Sequence, residues 1–343
     1  MDVDTGKVLH SSHAHALLYP ASLTKMLTGL IAVNWLPPDA TVPVSARAAG
    51  VTPDKVGMRP GQAWPLPITL HALLISSAND AAYALAQRVG GSLESFAVIM
   101  AQSAAEMGMS DTPVLHDPAG LDGSEGVDGG NRMSAWDLAI AARDLLANPT
   151  LAAIVRLPTY RFTGPDHIVY ELYSHNHAFL VSYRGAVGVK TGFTDRAGVS
   201  VAEAATRRGR TMLAVVMHGA YPDQTAEDLL DMGFATPAAR EPANAPLLPP
   251  VRQPAPAPAP RPGAWGARWA RSIPLGRVGR DGPVAEALTR PSGRSGGRLP
   301  PAGIAAAGVV IGGGLGYVLP RLRSRRRRRA GRDGPPAGVS PPR

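Results

Sequence analysis

Apolar residues recur at three- and four-residue spacing over 21–35, 69–76, 80–89, 93–107, 135–147 and 224–234. That is the period of a helix with one buried face, and six helices are predicted there. Residues 198–205 and 211–218 read instead as two strands joined by a charged turn at 207–209. With 185–192 just upstream they make an antiparallel meander. Helices before and after such a meander predict an antiparallel sheet flanked by helices, an α/β chain of the α+β type. Residues 1–237 suffice for one buried core.

Beyond that point the pattern changes. Nine prolines lie between Glu241 and Pro262, and nothing as far as Leu299 restores an apolar period, so 238–300 reads as an extended linker. Residues 301–320 carry no charge and are mostly Ala, Gly, Val, Ile and Leu, and seven arginines follow between Arg321 and Arg329. This is a stop-transfer pattern: a transmembrane helix over 301–320 and a basic cytoplasmic tail over 321–343, with residues 1–300 on the outer face. The alternative is a Gly/Ala-rich stretch ahead of a basic tail that meets nucleic acid.

The net charge of +9 first suggests a nucleic-acid binder. Its distribution removes that reading for the folded part: residues 1–240 hold 17 basic and 22 acidic side chains, whereas 241–343 hold 18 arginines and 4 acids. The domain is acidic and only the tail is basic. The chain has no cysteine, which excludes thiol catalysis, Cys-ligated zinc and disulfides. It has four lysines, Lys7, Lys25, Lys55 and Lys190, against 31 arginines. Where a plain positive charge suffices this chain uses Arg, so a retained Lys points to chemistry a guanidinium cannot do, such as losing a proton near neutral pH.

Two of those lysines fall in short motifs. Ser22-Leu23-Thr24-Lys25 opens a strongly apolar helix after Pro20, placing Ser22 and Lys25 one turn apart on one face. A serine hydroxyl needs a base to become a nucleophile, and a shielded amine can be that base. Lys190 would be the second cation that shields it. Ser77-Ala78-Asn79 falls between two helices, where the hydroxyl can relay a proton and Asn79 can donate to a substrate amide or to Lys25; taken alone the motif reads better as an N-cap serine followed by a turn asparagine, and only the company of the other motifs favours the chemical reading. Lys190-Thr191-Gly192 ends a strand. A strand edge offers backbone groups to an extended peptide, Lys190 and Thr191 can hold a terminal carboxylate, and the N–H of Phe193 can join that of Ser22 as an oxyanion donor. His13-Ala14-His15 and His175-Asn176-His177 read as surface or turn residues.

These motifs, with Gly120-Leu121-Asp122 and the run from Gly185 to Thr194, resemble those of the low-molecular-mass D-Ala-D-Ala carboxypeptidases, the serine peptidases of family S11, relatives of the class A β-lactamases. The resemblance implies a β-lactamase/transpeptidase-like fold and hydrolysis of the terminal D-Ala-D-Ala bond of peptidoglycan stem peptides. It implies Ser22 as the acylated residue, Lys25 as base, Ser77 and Asn79 as relay and positioning groups, and Lys190, Thr191, Gly192 and Phe193 as the substrate edge. No metal or cofactor is implied; β-lactams are the expected covalent inhibitors, a membrane the expected anchor, and nucleic acid is not expected as a partner. Endopeptidase, transpeptidase or β-lactamase use of the same acyl-enzyme stays open, as does an inactive membrane-anchored penicillin-binding module, although the Glu-x-x-Leu-Asn context of class A deacylation is not found. No Gly-x-Ser-x-Gly elbow supports a Ser-His-Asp hydrolase. In the family a longer strand and a leader precede the turn that here reads Asp2-Val3-Asp4-Thr5-Gly6, so the natural product is expected to begin upstream of Met1, and the strand at 7–10 to present an open edge.

Overall fold

Eight successive residues from Lys25 to Ala32 are buried in helix α1 (Lys25–Trp35), which marks it as a helix enclosed on all sides. Residues 1–123 and 129–255 are described by this computed structural model. The segments expected to form the transmembrane helix and basic tail lie outside the described residues. Among those described, no single helix is long and apolar enough to cross a membrane.

After α1 come the two-stranded pair β1 (Thr41–Pro43) and β2 (Ala63–Pro65), with α2 (Ala46–Gly50) between them. Helices α3 (Leu66–Leu74), α4 (Asn79–Gly90) and α5 (Leu93–Glu106) follow, then α6 (Ala135–Ala147) and α7 (Pro149–Val155). A hairpin of β3 (Thr159–Thr163) and β4 (Val169–Tyr173) and the short α8 (His177–Ser182) lead to the meander β5 (Ala186–Thr194), β6 (Gly198–Arg207) and β7 (Arg210–Val216), and α9 (Pro222–Ala235) closes the run.

The meander is antiparallel, with Lys190 opposite Ala202 and Glu203 opposite Ala214. Side chains alternate across it. Ala202, Ala204 and Leu213 join the large core around α1, while Val201, Ala205, Met212 and Ala214 pack with Ala226 and Leu230 of α9 in a second, smaller core. The sheet is thus sandwiched between helices.

Two edges are covered, one of them against expectation. Met1 to Val3 pair with β7, through Met1 N to Leu213 O at 2.8 Å and Val3 N to Thr211 O at 2.9 Å. The edge at 7–10, expected to lie open, is covered by the segment the composition assigns to the linker. Val8 N donates to Pro246 O and Leu248 N to Gly6 O. Leu248 is buried, Arg143 donates to Pro249 O, and Arg252 N and Gln253 Nε2 reach the carboxylate and carbonyl of Asp144. The chain therefore stays on the domain as far as Gln253, well past residue 238, because an extended Pro-rich strand needs few partners and finds them here.

Candidate active site

The predicted helix from residue 21 begins as a 3₁₀ turn, Ala21–Thr24, and becomes α-helical at Lys25. A 3₁₀ turn eclipses residues i and i+3, which brings Lys25 Nζ to 2.6 Å from Ser22 Oγ. The ammonium also donates to Ala119 O at 3.1 Å. Ala21, with φ +47°, precedes Ser22 in the left-handed region, a strain characteristic of functional turns.

Lys25 is wholly buried. Burial pushes its amine down to about 7, against the upward pull of Asp117, Asp54 and Asp80. Lys190 is likewise held well below an ordinary amine, by burial and then by repulsion from Lys25. Two ammonium charges are not stable side by side in so dry a site.

Strand β5 lies directly against the Ser22 turn. A Cβ on Gly192 would stand 3.0 Å from Ser22 N and 3.2 Å from Leu23 N, so only glycine permits this approach. Gly120 is tighter still: with φ +80° and an added Cβ 1.9 Å from Ala21 O, it lets the 117–122 loop close under the turn. Asp117 organises that loop, accepting from the N–H groups of Ala119, Gly120 and Leu121 and from Tyr83 Oη. Asn131 ties it to Thr24 Oγ1.

A cavity of about 620 Å³ opens above Ser22. Ser22, Ser77, Thr191, Gly192 and Phe193 line it, and Ser77 sits there with φ +57°. Lys25, Asn79 and Lys190 are buried behind the wall. Two sequence expectations change accordingly. Asn79 Nδ2 donates to Thr52 O at 2.8 Å and its N–H to Asp54 O at 2.7 Å, so it braces the 52–54 loop rather than bonding Lys25. Lys190 Nζ donates to Thr191 O and leaves the cavity surface to Thr191.

With this geometry in place, the matches to known proteins are specific. The D-alanyl-D-alanine carboxypeptidase family model matches residues 1–220. The chain belongs to this family. It is 34% identical over 241 residues to the D-alanyl-D-alanine carboxypeptidase DacB2 of Mycobacterium tuberculosis, covering 68% of this chain and 80% of that one. It is 30% identical to DacF of Bacillus subtilis, of which it spans 60%. The crystal structure of a D-alanyl-D-alanine carboxypeptidase from Mycobacterium tuberculosis H37Rv superposes with a TM-score of 0.64 at 30% identity, covering 70% of this chain and 91% of that one.

The carboxypeptidase site holds further groups that no short motif marks. Asp54 lines the cavity and raises the proton affinity of both lysines. Its loop is fixed by Asp80, whose carboxylate accepts from the N–H groups of Val56, Gly57 and Met58. His175 is the exposed turn residue expected, and it also lines the cavity, 3.9 Å from Asp54; desolvation there, with Lys190 and Lys25 adding repulsion, holds its imidazole down at about 4 and therefore neutral. Asp122 accepts from Thr194 Oγ1 and Arg196 N. The Gly120-Leu121-Asp122 run is the one sequence signal that pointed to this loop.

Proposed function

We propose that the chain removes the terminal D-alanine from peptidoglycan stem peptides through an acyl-enzyme on Ser22. Neutral Lys25 takes the Ser22 proton as Oγ attacks the carbonyl carbon of the penultimate D-alanine. The N–H groups of Ser22 and Phe193 stabilise the oxyanion. The C–N bond then breaks, the leaving amine of D-alanine gains its proton by way of Ser77, and water hydrolyses the ester to release the shortened peptide and free Ser22. Thr191, backed by Lys190, receives the terminal carboxylate.

The observation that carries this reading is the 2.6 Å contact between Ser22 Oγ and a lysine whose burial brings it to about 7, since a base matched to neutral pH transfers protons most effectively. A fluorescent penicillin, whose β-lactam carbonyl mimics the scissile amide, should label the protein, and a pentapeptide ending in D-Ala-D-Ala should yield free D-alanine. Ser22→Ala should do neither. Labelling of Ser22→Ala at the wild-type level would assign the nucleophile elsewhere.

We also propose that 301–320 anchors the protein in a membrane with the catalytic domain outside, on the strength of the uncharged run and the arginine block that follows it. Protease added to intact cells should then cut between residues 256 and 300 and spare 321–343. Protection of 256–300 would reverse the orientation.

A further inference from the structure

Tyr19 stands between two arginines, one of which, Arg196, lines the cavity. Arg132 Cζ lies 3.1 Å from the centre of its ring, and Arg196 Cζ 5.5 Å. Arg196 Nη1 also donates to Tyr19 Oη at 2.8 Å. The turn that carries Arg196 is pinned three times: Arg196 N and Thr194 Oγ1 both donate to Asp122, and Ala197 N donates to Thr194 Oγ1. Among the described residues no carboxylate lies within 4.0 Å of either guanidinium. Both guanidiniums are thus held by Tyr19, and Arg196 presents its charge to the cavity with Asp122 close enough to act on it but, among the described residues, with no ion pair to it.

Their position follows from the direction of β5. In the proposed binding mode, on which this inference rests, the terminal carboxylate lies at Thr191 and the scissile carbonyl oxygen at the N–H of Phe193. Moving from the C-terminus of the peptide toward its N-terminus therefore runs from Thr191 past Phe193 to Thr194 and beyond. At roughly 3.3 Å per residue along a strand, the residue preceding D-Ala-D-Ala arrives at the turn that carries Arg196.

We infer that Arg196, oriented by Tyr19 and reinforced by Arg132, is a specificity residue that selects stem peptides whose residue before D-Ala-D-Ala bears a free side-chain carboxylate. A guanidinium matches a carboxylate in a planar, two-point fork. A side chain already held by a hydrogen bond and an aromatic face loses little freedom on binding. Asp195, exposed on the same turn, would draw an ammonium instead, but no hydrogen bond to a described residue fixes its side chain.

The test uses the full chain and two peptides ending in X-D-Ala-D-Ala that differ only at the tip of the X side chain, one a carboxylate and the other its carboxamide. Released D-alanine gives kcat/KM for each. Because both are read on the same enzyme, a general loss of activity cancels in the ratio. Wild type should favour the carboxylate about tenfold, chiefly through KM. Arg196→Gln should bring the ratio close to one, Arg196→Lys should restore part of it, and Tyr19→Phe, which frees the guanidinium while keeping the ring, should fall between. A wild-type ratio near one, or a preference that survives Arg196→Gln, overturns the inference. A preference for the carboxamide would overturn it in favour of Asp195. If neither peptide yields D-alanine although penicillin still labels Ser22, the carboxypeptidase reading itself falls and takes this one with it.

Discussion

Glu203 is a carboxyl group in the middle of β6, wholly buried on the face toward α9, with neither oxygen hydrogen-bonded to a described residue. Burial first, and then the nearby acids Asp223 and Glu227, push its pKa from 4.5 up to about 9. The group is therefore a neutral acid at pH 7 in the folded chain and an anion in the unfolded chain. Below pH 4.5 both states hold the proton and nothing is lost. Between 4.5 and 9 only the folded state holds it, so stability falls with rising pH by about 1.4 kcal/mol per unit. The loss is about 3 kcal/mol at pH 7 and reaches about 6 kcal/mol above pH 9, an upper bound because a real interior relaxes around a charge. Glu203→Gln keeps the shape and removes the titration. Urea unfolding followed by tryptophan fluorescence at pH 5, 6, 7 and 8 should show the variant gaining on wild type at each step, by several kcal/mol in all. A difference between the two proteins that stays constant across this range would refute the argument, because every other titrating group is common to both.

The acylation rate with benzylpenicillin should fall about tenfold per pH unit below pH 7, since only the neutral form of Lys25 accepts the Ser22 proton and its amine sits near 7; a flat profile between pH 5 and 7 would remove Lys25 as the base. Gly192→Ala sets a Cβ 3.0 Å from Ser22 N, against backbone rather than a yielding side chain, and should slow acylation by about tenfold or more (about 1.4 kcal/mol of barrier) with little change in Tm. Leu248→Glu puts a charge where the strap is buried against the domain and should cost about 2 to 3 kcal/mol in thermal unfolding while Ser22 still labels. An unchanged Tm would mean that the 241–253 segment does not hold the N-terminal turn.

Which parts of this site are readable in the chain depends on how far apart the determining residues lie. Ser22 and Lys25 are readable because their contact is made inside one turn, whatever the rest of the fold does. Lys190 and Thr191 are readable as a pair on a strand, but which of them reaches the cavity is not: Thr191, Gly192, Phe193 and Thr194 line it in succession while Lys190 is buried behind the wall. The strap is hidden by its composition. Nine prolines read as a linker, and the one apolar doublet among them, Leu247-Leu248, is the only trace of the docking. Asp54 leaves no trace, and Asp80, next to the Ser77-Ala78-Asn79 motif, and Asp117, a departure from the family pattern, show nothing of their charge on Lys25, because the three come from a loop, a helix start and another loop that meet only in the folded chain. Yet these three carboxylates oppose the effect of burial on Lys25 and set where its amine settles. The identity of the base is therefore local and legible, whereas its strength is a tertiary property: no stretch of sequence short enough to be a motif contains the charges that tune it. The same reasoning applies to Tyr19, Arg132 and Arg196, more than a hundred residues apart at their widest and joined only in the folded chain.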